Sequence, residues 1–274
     1  MRQSFDAIII GAGQGGPTLA GRFAAAGMKV ALAERNLFGG TCVNTGCTPT
    51  KTMVASAYVA HLARRASDFG VQIEGEPRVD MRRVKARKDA IVEESRTGLT
   101  TWLRSLPNCT VVQGHARFES PHEVRIGNET LSAERIFINV GGRAAVPPMP
   151  GLDQVPYFTN GSLLEVDFVP PHLVVIGGSY VGLEFAQKFR RFGSEVTVVE
   201  MGPRLVRRED EDVSNAIREF LQAEGIRVRL DAKCISFSKR DGQTVAHLDC
   251  ATGAREVEGT HVLLAVGRIP NTGD

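Results

Sequence analysis

The sequence predicts an α/β protein made of two Rossmann-like domains, each with a parallel central sheet in a three-layer arrangement. Three observations favour this fold. A glycine-rich turn joins a short apolar run to a helical pattern near the N-terminus, and a second apolar run follows. The same order of segments returns in the second half of the chain. Short β-branched runs separated by turn residues indicate small antiparallel meanders beside the parallel sheets.

The composition describes a globular protein with room for two domains of ordinary size. The chain has 274 residues, of which 42% are hydrophobic and 23% charged, and its formal net charge is +2. This near-neutral balance gives no reason to expect a nucleic-acid or membrane-surface partner. No apolar run is long enough to span a bilayer, and the N-terminus lacks a signal-peptide pattern.

The cysteines and histidines limit the chemistry that we expect. Five cysteines form an odd and sparse set, which is not typical of a disulfide framework. We therefore expect a reducing cytoplasm, where a close cysteine pair is more often catalytic than structural. The six histidines lack metal-ligand spacing, so we expect no metal site.

The first glycine turn has the spacing of a dinucleotide-binding fingerprint. A strand, a helix and a second strand are predicted at residues 6–10, 17–26 and 29–33. Gly11, Gly13 and Gly16 form the pattern G-x-G-x-x-G between the first strand and the helix. They suit a tight turn, a close pyrophosphate and close helix packing, and the helix N-terminus stabilises the phosphate charge. Glu34 ends the second strand, where it can accept hydrogen bonds from a ribose.

A second fingerprint repeats the first without a gap. Its strands are predicted at residues 174–176 and 195–199, with a helix that ends at residue 192. The turn that we assign to nucleotide binding consists of Gly177, Gly178, Ser179, Tyr180, Val181 and Gly182. Gly182 lies 166 positions after Gly16, and Glu200 lies 166 positions after Glu34. Such an internal match predicts two nucleotide-binding units of one design, although Ser179 replaces the middle glycine of the strict pattern.

A cysteine pair lies in residues 39–51, which read GGTCVNTGCTPTK. Residues 44–46 have turn chemistry and can fold the chain back, so that Cys42 and Cys47 come within disulfide range. We expect a helix to begin just after Cys47, with Lys51 in its first turn. Both features favour a thiolate and predict a redox pair. The alternative, two unpaired core cysteines, is weakened by the flanking glycines and proline.

The rest of the chain alternates helical and strand patterns around one linker. Helices are predicted at residues 48–68, 84–104 and 210–224. Strands are predicted at residues 110–112, 123–126, 135–140, 226–230, 244–248 and 261–266. Residues 146–151 are rich in proline and end in glycine, which is typical of a linker. We therefore predict a domain boundary near residue 151, with one nucleotide-binding domain at residues 1–151 and a second at residues 152–274.

With these motifs together, the chain resembles the class I pyridine nucleotide–disulfide oxidoreductases, which include glutathione reductase, dihydrolipoyl dehydrogenase and mercuric reductase. The cysteine stretch is the most specific motif, and residues 48–52 look closer to mercuric-reductase-like flavoproteins than to glutathione reductases. The resemblance implies FAD in the first unit and NADH or NADPH in the second. It makes Cys47 the thiol against the flavin and Cys42 the interchange thiol. It places Lys51 near the flavin, paired with Glu184, and makes Tyr180 a gate of the nicotinamide pocket.

Several further residues are candidates for cofactor binding. They lie beside the cysteine stretch or after predicted strands: Gly40, Thr41, Gly114, His115, Ala116, Gly142 and Gly267. Glu200 favours NADH, because a carboxylate suits a ribose 2′-hydroxyl and repels a 2′-phosphate. Arg204, Arg207 and Arg208 could instead bind that phosphate, or could pair with nearby acidic residues.

The resemblance also implies segments that this sequence does not contain. Family members continue beyond the segment at residues 267–271 with a return to the FAD domain and an interface domain that makes a homodimer. That domain supplies an acid–base pair, so we assign no histidine as the catalytic base. We therefore expect a C-terminally truncated form without the dimerisation domain, whose full-length form is a homodimer.

Three functions are compatible with the motifs. The leading hypothesis is an oxidoreductase that passes hydride from NAD(P)H to FAD and then electrons to the Cys42–Cys47 disulfide and a small-molecule acceptor. The second is a non-catalytic nucleotide-binding fragment or redox sensor of the same fold. The third is a flavoenzyme without a disulfide role. The acceptor stays open among a disulfide, dihydrolipoamide, a metal ion and a quinone.

Overall fold

The computed structural model describes residues 2–232, 235–248 and 255–273. The chain divides into two compact units that are each assembled from separate stretches of sequence. The first unit contains Met1–Pro49, Asp89–Arg143 and Ile269–Asp274, and the second contains Thr50–Lys88 and Ala144–Arg268. The predicted domains, 1–151 and 152–274, are continuous in sequence and differ from these units. The difference arises because Met53, Ala57 and Met81 pack in the core of the second unit.

Seven α-helices and sixteen strands are described. The helices are α1 (Gly15–Ala25), α2 (Gly40–Thr45), α3 (Cys47–Arg64), α4 (Met81–Ser105), α5 (Asn160–Leu163), α6 (Tyr180–Phe192) and α7 (Glu211–Ala223). Strands of the first half are β1 (Arg2–Ile10), β2 (Val30–Glu34), β3 (Cys109–Gln113), β4 (Ala116–Ser120), β5 (Glu123–Ile126), β6 (Glu129–Ile138), β7 (Gly142–Ala144) and β8 (Tyr157–Phe158). Those of the second half are β9 (His172–Ile176), β10 (Glu195–Val199), β11 (Arg227–Arg229), β12 (Ile235–Arg240), β13 (Gln243–Leu248), β14 (Glu256–Gly259), β15 (His261–Leu264) and β16 (Arg268–Pro270).

The first unit is built on a six-stranded sheet in the order β3-β2-β1-β6-β5-β4. Strands β1, β2, β3 and β6 run parallel, and β4 and β5 add an antiparallel edge. Residues 7–10 of β1 are apolar and buried, as expected for a strand covered on both faces. Two separate apolar clusters contain Ile8 and Ile9, neighbours in β1 whose side chains point to opposite faces of the sheet.

The second unit is built on a five-stranded parallel sheet in the order β11-β10-β9-β15-β8. A separate antiparallel sheet contains β12, β13 and β14. The prediction of parallel central sheets with small antiparallel meanders is therefore confirmed. Within the described residues, no helix combines the length and apolar composition needed to cross a membrane.

The two units share the same backbone connections at the glycine turn. The N–H of Gly11 donates to the carbonyl of Ala33, and the N–H of Gly177 donates to that of Val199, each at 2.8 Å. These four residues are related by the offset of 166 that the sequence repeat predicts. The repeat therefore reflects repeated geometry, and each glycine turn lies at the carboxyl ends of parallel strands, where open α/β sheets bind ligands.

The turn predicted at residues 44–46 is wrong in detail. Residues up to Thr45 form the short helix α2, and only Gly46 breaks the chain before α3 begins. The side-chain amide of Asn44 donates to the carbonyl of Gly40, four residues earlier, at 2.9 Å, so Asn44 is part of the helix rather than of a turn. Gly46 is needed at the break, because an added Cβ would lie 2.8 Å from the carbonyl oxygen of Thr41.

Candidate functional site

The first glycine turn is fixed by close backbone packing. Gly11 has a φ of +108°, which side chains of L-residues rarely adopt. An added Cβ at Gly16 would overlap the carbonyl oxygen of Gly11, so the start of α1 can pack on β1 only with glycine there. Gly13 differs, because an added Cβ would meet no atom within 4 Å. The open space beside Gly13 fits the close approach of a phosphate to the backbone.

The second glycine turn reproduces this geometry and explains the serine. Gly177 has a φ of +111°, and an added Cβ at Gly182 would overlap the carbonyl oxygen of Gly177. Ser179 corresponds to Gly13, the position in the first turn where a Cβ has room. Ser179 is exposed and precedes α6. The departure from the strict glycine pattern is therefore sterically tolerated.

Each acidic residue at the end of the second strand is tied to its glycine turn. One carboxylate oxygen of Glu34 accepts the N–H of Ala12 at 2.8 Å, and one of Glu200 accepts the N–H of Gly178 at 2.6 Å. The other oxygen accepts the N–H two residues after the glutamate, at 2.8 Å in both units. The two carboxylates are thus held in the same way, beside the turn where a ribose is expected.

The cysteine stretch of the first unit is anchored to the first glycine turn. The N–H of Gly39 donates to the carbonyl of Ala12 at 2.8 Å. Gly40 approaches Gly13 so closely that an added Cβ would lie 2.8 Å from the Cα of Gly13. The hydroxyl of Thr41 donates to the carbonyl of Gly142 at 3.4 Å. The predicted cofactor residues Gly13, Gly40, Thr41 and Gly142 are therefore brought together.

The break at Gly46 brings Cys42 and Cys47 together as two thiols. Cys42 is half-buried in α2, and Cys47 is exposed at the start of α3. Burial raises the pKa of the Cys42 thiol, a side-chain hydrogen bond with Cys47 raises it further, and the backbone of Cys47 acts in the opposite direction. The hydrogen bond places the two thiol groups within reach of each other. Cys109 lies apart in β3, and Cys234 and Cys250 lie outside the described residues.

The candidates that follow β3, Gly114, His115 and Ala116, lie at the edge of the first sheet where Glu34 ends β2. The N–H of Gly114 donates to the carbonyl of Glu34 at 2.8 Å. Gly114 and His115 line an open depression of about 530 Å³, and Ala116 begins β4 beside it. Their placement next to Glu34 keeps them as candidates for contact with a nucleotide.

The second unit contains the predicted contact between Lys51 and Glu184. The ammonium of Lys51, in α3, donates to the Oε1 atom of Glu184, in α6. Lys51 is exposed and Glu184 is partly exposed, so this surface ion pair has a small effect on stability. Lys51 follows Cys47 by four residues in α3.

The remaining candidates of the second unit lie around the second glycine turn. Tyr180 is exposed at the start of α6, and its hydroxyl donates to the carboxylate of Glu209, a partner that the sequence did not predict. Val181 is also exposed, whereas Gly178 is buried. Gly267 is exposed after β15, and its carbonyl accepts the N–H of Ala145 at 2.9 Å.

Two residues near the glycine turns were missed by the sequence reasoning. Asn139 follows β6, and its backbone N–H donates to the carbonyl of Ile10 at 2.8 Å. Lys188 lies in α6 with a fully buried side chain. Neither has a motif of its own, although a lysine among the apolar positions of a helix is a usable signal. Among the described residues, no group of three or more histidines, cysteines or carboxylates is placed to hold a metal ion.

The fold and the site define a protein with two dinucleotide-binding units and a close cysteine pair. The family model of the pyridine nucleotide-disulphide oxidoreductases matches residues 5–274. The chain is 36% identical to the probable pyridine nucleotide-disulfide oxidoreductase RclA of Escherichia coli (strain K12), covering 98% of this chain and 57% of that protein. It is 34% identical to a dihydrolipoyl dehydrogenase of Acholeplasma laidlawii, covering 99% of this chain and 81% of that protein. It is 36% identical to a mercuric reductase of Acidithiobacillus ferrooxidans, covering 98% of this chain and 50% of that protein.

Solved structures agree with the sequence comparisons. The HOCl-induced flavoprotein disulfide reductase RclA from Escherichia coli superposes with a TM-score of 0.85 and 35% identity, covering 98% of this chain and 57% of that structure. A Cu(II) complex of the same protein gives a TM-score of 0.85 with 34% identity, covering 98% and 58%. This chain belongs to the pyridine nucleotide–disulphide oxidoreductase family, whose members use FAD and NAD(P)H. It spans between half and four fifths of the length of these relatives.

Proposed function

We propose that this chain carries the nucleotide-binding and thiol machinery of an FAD-dependent NAD(P)H disulfide oxidoreductase. The observation that carries the proposal is the contact between Cys42 and Cys47 next to a glycine turn. A cysteine pair that can close and open is a two-electron acceptor, and the turn beside it has the features of a dinucleotide site.

In this proposal each unit holds one nucleotide. In the first unit, Gly11, Gly13 and Gly16 admit the pyrophosphate of FAD, and Glu34 accepts hydrogen bonds from its ribose. The second unit holds NADH or NADPH at the turn that begins with Gly177. When bound, the cofactors would supply hydride transfer from the nicotinamide to FAD and, from there, two electrons to the Cys42–Cys47 disulfide. As the resemblance implies, Cys47, the more exposed of the two thiols, faces the flavin in this proposal.

The protein's own thiols then perform the exchange. Two electrons and two protons convert the Cys42–Cys47 disulfide into two thiols. The thiolate of Cys42 attacks one sulfur of an acceptor disulfide and releases the other as a thiol. Attack by Cys47 on the resulting mixed disulfide releases the reduced acceptor and restores the Cys42–Cys47 bond. In this proposal Lys51, which is paired with Glu184 and carried by the helix that Cys47 begins, lies near the flavin.

The second unit supports NADH as the preferred nucleotide. Glu200 is held beside the second glycine turn by two backbone N–H groups, where a carboxylate accepts from a ribose diol. Of the nearby arginines, Arg204 donates a hydrogen bond from its guanidinium to the backbone carbonyl of Arg207 at 3.2 Å, so its side chain is held against its own loop. A carboxylate at this place repels the 2′-phosphate of NADPH, and the side chains of Arg207 and Arg208 are exposed.

The proposal also covers the electron acceptor, the oligomeric state and the cellular compartment. The relatives' names indicate dihydrolipoyl and mercuric substrates, and one relative forms a Cu(II) complex. We propose a small-molecule acceptor of the disulfide or thiophilic metal-ion class, a homodimer for the full-length form, and a cytoplasmic location. Nucleic acids and membranes are not expected as partners, because the net charge is only +2.

The test is an anaerobic absorbance spectrum of the purified protein, followed by titration with NADH. A yellow protein that bleaches and gains a long-wavelength shoulder supports the thiol–flavin relay. Replacing Cys42 by Ser should abolish reduction of an added disulfide while NADH still bleaches the flavin. Unchanged disulfide reduction in C42S would instead support a flavoenzyme without a disulfide role. Nucleotide binding without any bleaching would support a non-catalytic fragment or sensor.

A further inference from the structure

Lys188 is a buried amine without a hydrogen-bond partner. Its side chain is only 2% exposed, and its Nζ atom has no hydrogen bond to any residue in the described part of the chain. The Nζ atom lies 3.3 Å from the centroid of the Phe185 ring, which provides a weak cation–π partner for an ammonium. Buried lysines are normally paired with an acidic or polar group, so an unpaired lysine on the buried face of a helix is unusual and points to a role beyond packing.

The charged groups around Lys188 belong to three helices of the second unit. Glu184 precedes Lys188 by four residues in α6 and shares its helix face. From α3, Lys51 faces the same region and forms its ion pair with Glu184. From α4, Lys88 is equally buried, but its ammonium is paired with Glu165 at 2.8 Å. Glu184 is therefore the carboxylate that acts on Lys188, and Lys51 already holds it.

The protonation of Lys188 changes near neutral pH. Burial lowers the pKa of the Lys188 amine to about 7, the repulsion of Lys51 and Lys88 acts in the same direction, and the attraction of Glu184 opposes it. Above this pH the Lys188 amine is neutral and does not attract a carboxylate electrostatically. Below it the ammonium needs a counter-charge in a desolvated place, where an unpaired charge is costly.

We propose that Lys188 is a positioning residue that controls the Lys51–Glu184 ion pair through its own protonation. The neutral amine leaves the Glu184 carboxylate to Lys51. The ammonium of Lys188 draws the same carboxylate toward itself, one helical turn along α6, and releases Lys51. The redox consequence rests on the proposed function, in which Lys51 lies near the flavin.

A labelling experiment on the whole protein tests the switch without any bound cofactor. Lys51 is exposed and reacts with acetic anhydride, whereas Lys188 is shielded. The acetylation of Lys51 is measured by peptide mass spectrometry as a ratio to the exposed Lys239, which cancels the general pH dependence of the reaction. An ion-paired ammonium loses its proton less readily, so release of Lys51 raises the ratio.

We expect the ratio to rise about two- to fivefold between pH 8.5 and pH 5.5, the range that loss of a surface ion pair produces. In Lys188→Met the ratio should be constant, because the apolar stem remains and the amine is gone. In Lys188→Arg it should stay high at every pH. The matched control is Lys88→Met, which removes an equally buried lysine and should keep the rise.

A constant ratio in the unmodified protein overturns the proposal, and so does an equal rise in Lys188→Met. Near-UV circular dichroism establishes whether each variant keeps its packing. If Lys188→Arg does not fold, the result for Lys188→Met decides between the two outcomes. The activity assay is separate. If the acetylation ratio rises at low pH but the protein does not reduce a disulfide, the proposed role of Lys188 stands and the proposed function is rejected. If the protein reduces a disulfide but the ratio does not rise, the proposed function stands and the role of Lys188 is rejected.

Discussion

The carboxylate of Glu200 accepts the backbone N–H of Gly178 at 2.6 Å, in the same way as Glu34 accepts that of Ala12. The relationship joins the end of one strand to the glycine turn of the strand beside it. It fixes the position of a negative charge next to each turn. Because the two sites are built alike, a substitution in one unit has a matched control in the other.

This equivalence gives a prediction about the choice of nucleotide. Glu200→Gln removes the negative charge beside the second turn while keeping one acceptor oxygen. We expect the ratio of the Kd values for NADPH and NADH to shift toward NADPH by about tenfold, the effect of one charged hydrogen bond. Isothermal titration of both nucleotides measures the shift. Glu34→Gln is the control and should leave this ratio unchanged; an equal shift in both variants would contradict the assignment of the second site.

The glycines of the first turn differ in the space around them, which predicts different costs of substitution. Gly16→Ala forces a Cβ against the carbonyl oxygen of Gly11, so we expect a loss of about 1–3 kcal/mol in the free energy of unfolding. Gly13→Ala places its Cβ in open space and should change that free energy by less than about 0.5 kcal/mol. Urea unfolding compares the two variants. A similar cost at both positions would show that the turn relaxes.

The contact between Cys42 and Cys47 predicts a selective disulfide. Mild oxidation should link these two cysteines and leave Cys109 reduced, which peptide mass spectrometry detects as the loss of two hydrogens from the peptide that holds both. Cys42→Ser should leave Cys47 open to alkylation after the same treatment. Cys109→Ser serves as the control and should keep the link. A mixed set of pairings would argue against a preformed redox pair.

Cys109 should also react slowly. Burial raises the pKa of its thiol, so less thiolate is present at pH 7 than for an unperturbed cysteine. We expect its alkylation by iodoacetamide in the folded protein to accelerate only at a higher pH than that of a model thiol. Rates measured between pH 6 and pH 10 by mass spectrometry test this. Equal rates for Cys109 in folded and unfolded protein would rule out the protection.

Lys188 predicts an unusual dependence of stability on pH. Its pKa is about 7 in the folded protein and about 10.4 when unfolded, so between these values the unfolded state binds more protons. Its contribution to stability is therefore fully present above pH 10.4, is lost as the pH falls toward 7, and changes little below that.

Replacing this amine removes the pH-dependent penalty. We expect Lys188→Met to exceed the unmodified protein in free energy of unfolding by roughly 3–5 kcal/mol at pH 6, with a difference that shrinks toward alkaline pH. Urea unfolding at pH 6, 8 and 9.5 measures the trend. The exposed Lys239→Met is the control, for which a difference independent of pH is expected. A constant difference for Lys188→Met would show that the amine is already charged.

Much of the fold and of the candidate site could be predicted from the sequence. The glycine turns, the constant offset and the linear cysteine motif depend on contacts between residues close in the chain, such as Gly16 against Gly11. The spacing of residues along the chain is therefore enough to predict these features. The prediction failed at residues 44–45, where Asn44 has the composition of a turn but donates its amide to a helical carbonyl. Strands β4, β12 and β14 were missed because each is short and contains few apolar residues.

The sequence by itself determined the class of fold, the family and most of the residues around each nucleotide turn. The tertiary structure decided which distant side chains meet and which are buried. Lys51 and Glu184 are 133 positions apart, and only the packing of α3 on α6 brings them into contact. Lys188 stands among the apolar positions of α6, which is a local signal, but only the surrounding helices exclude water from it and lower the pKa of its amine. Long-range contacts and the depth of burial arise from packing between elements, which local spacing alone does not determine.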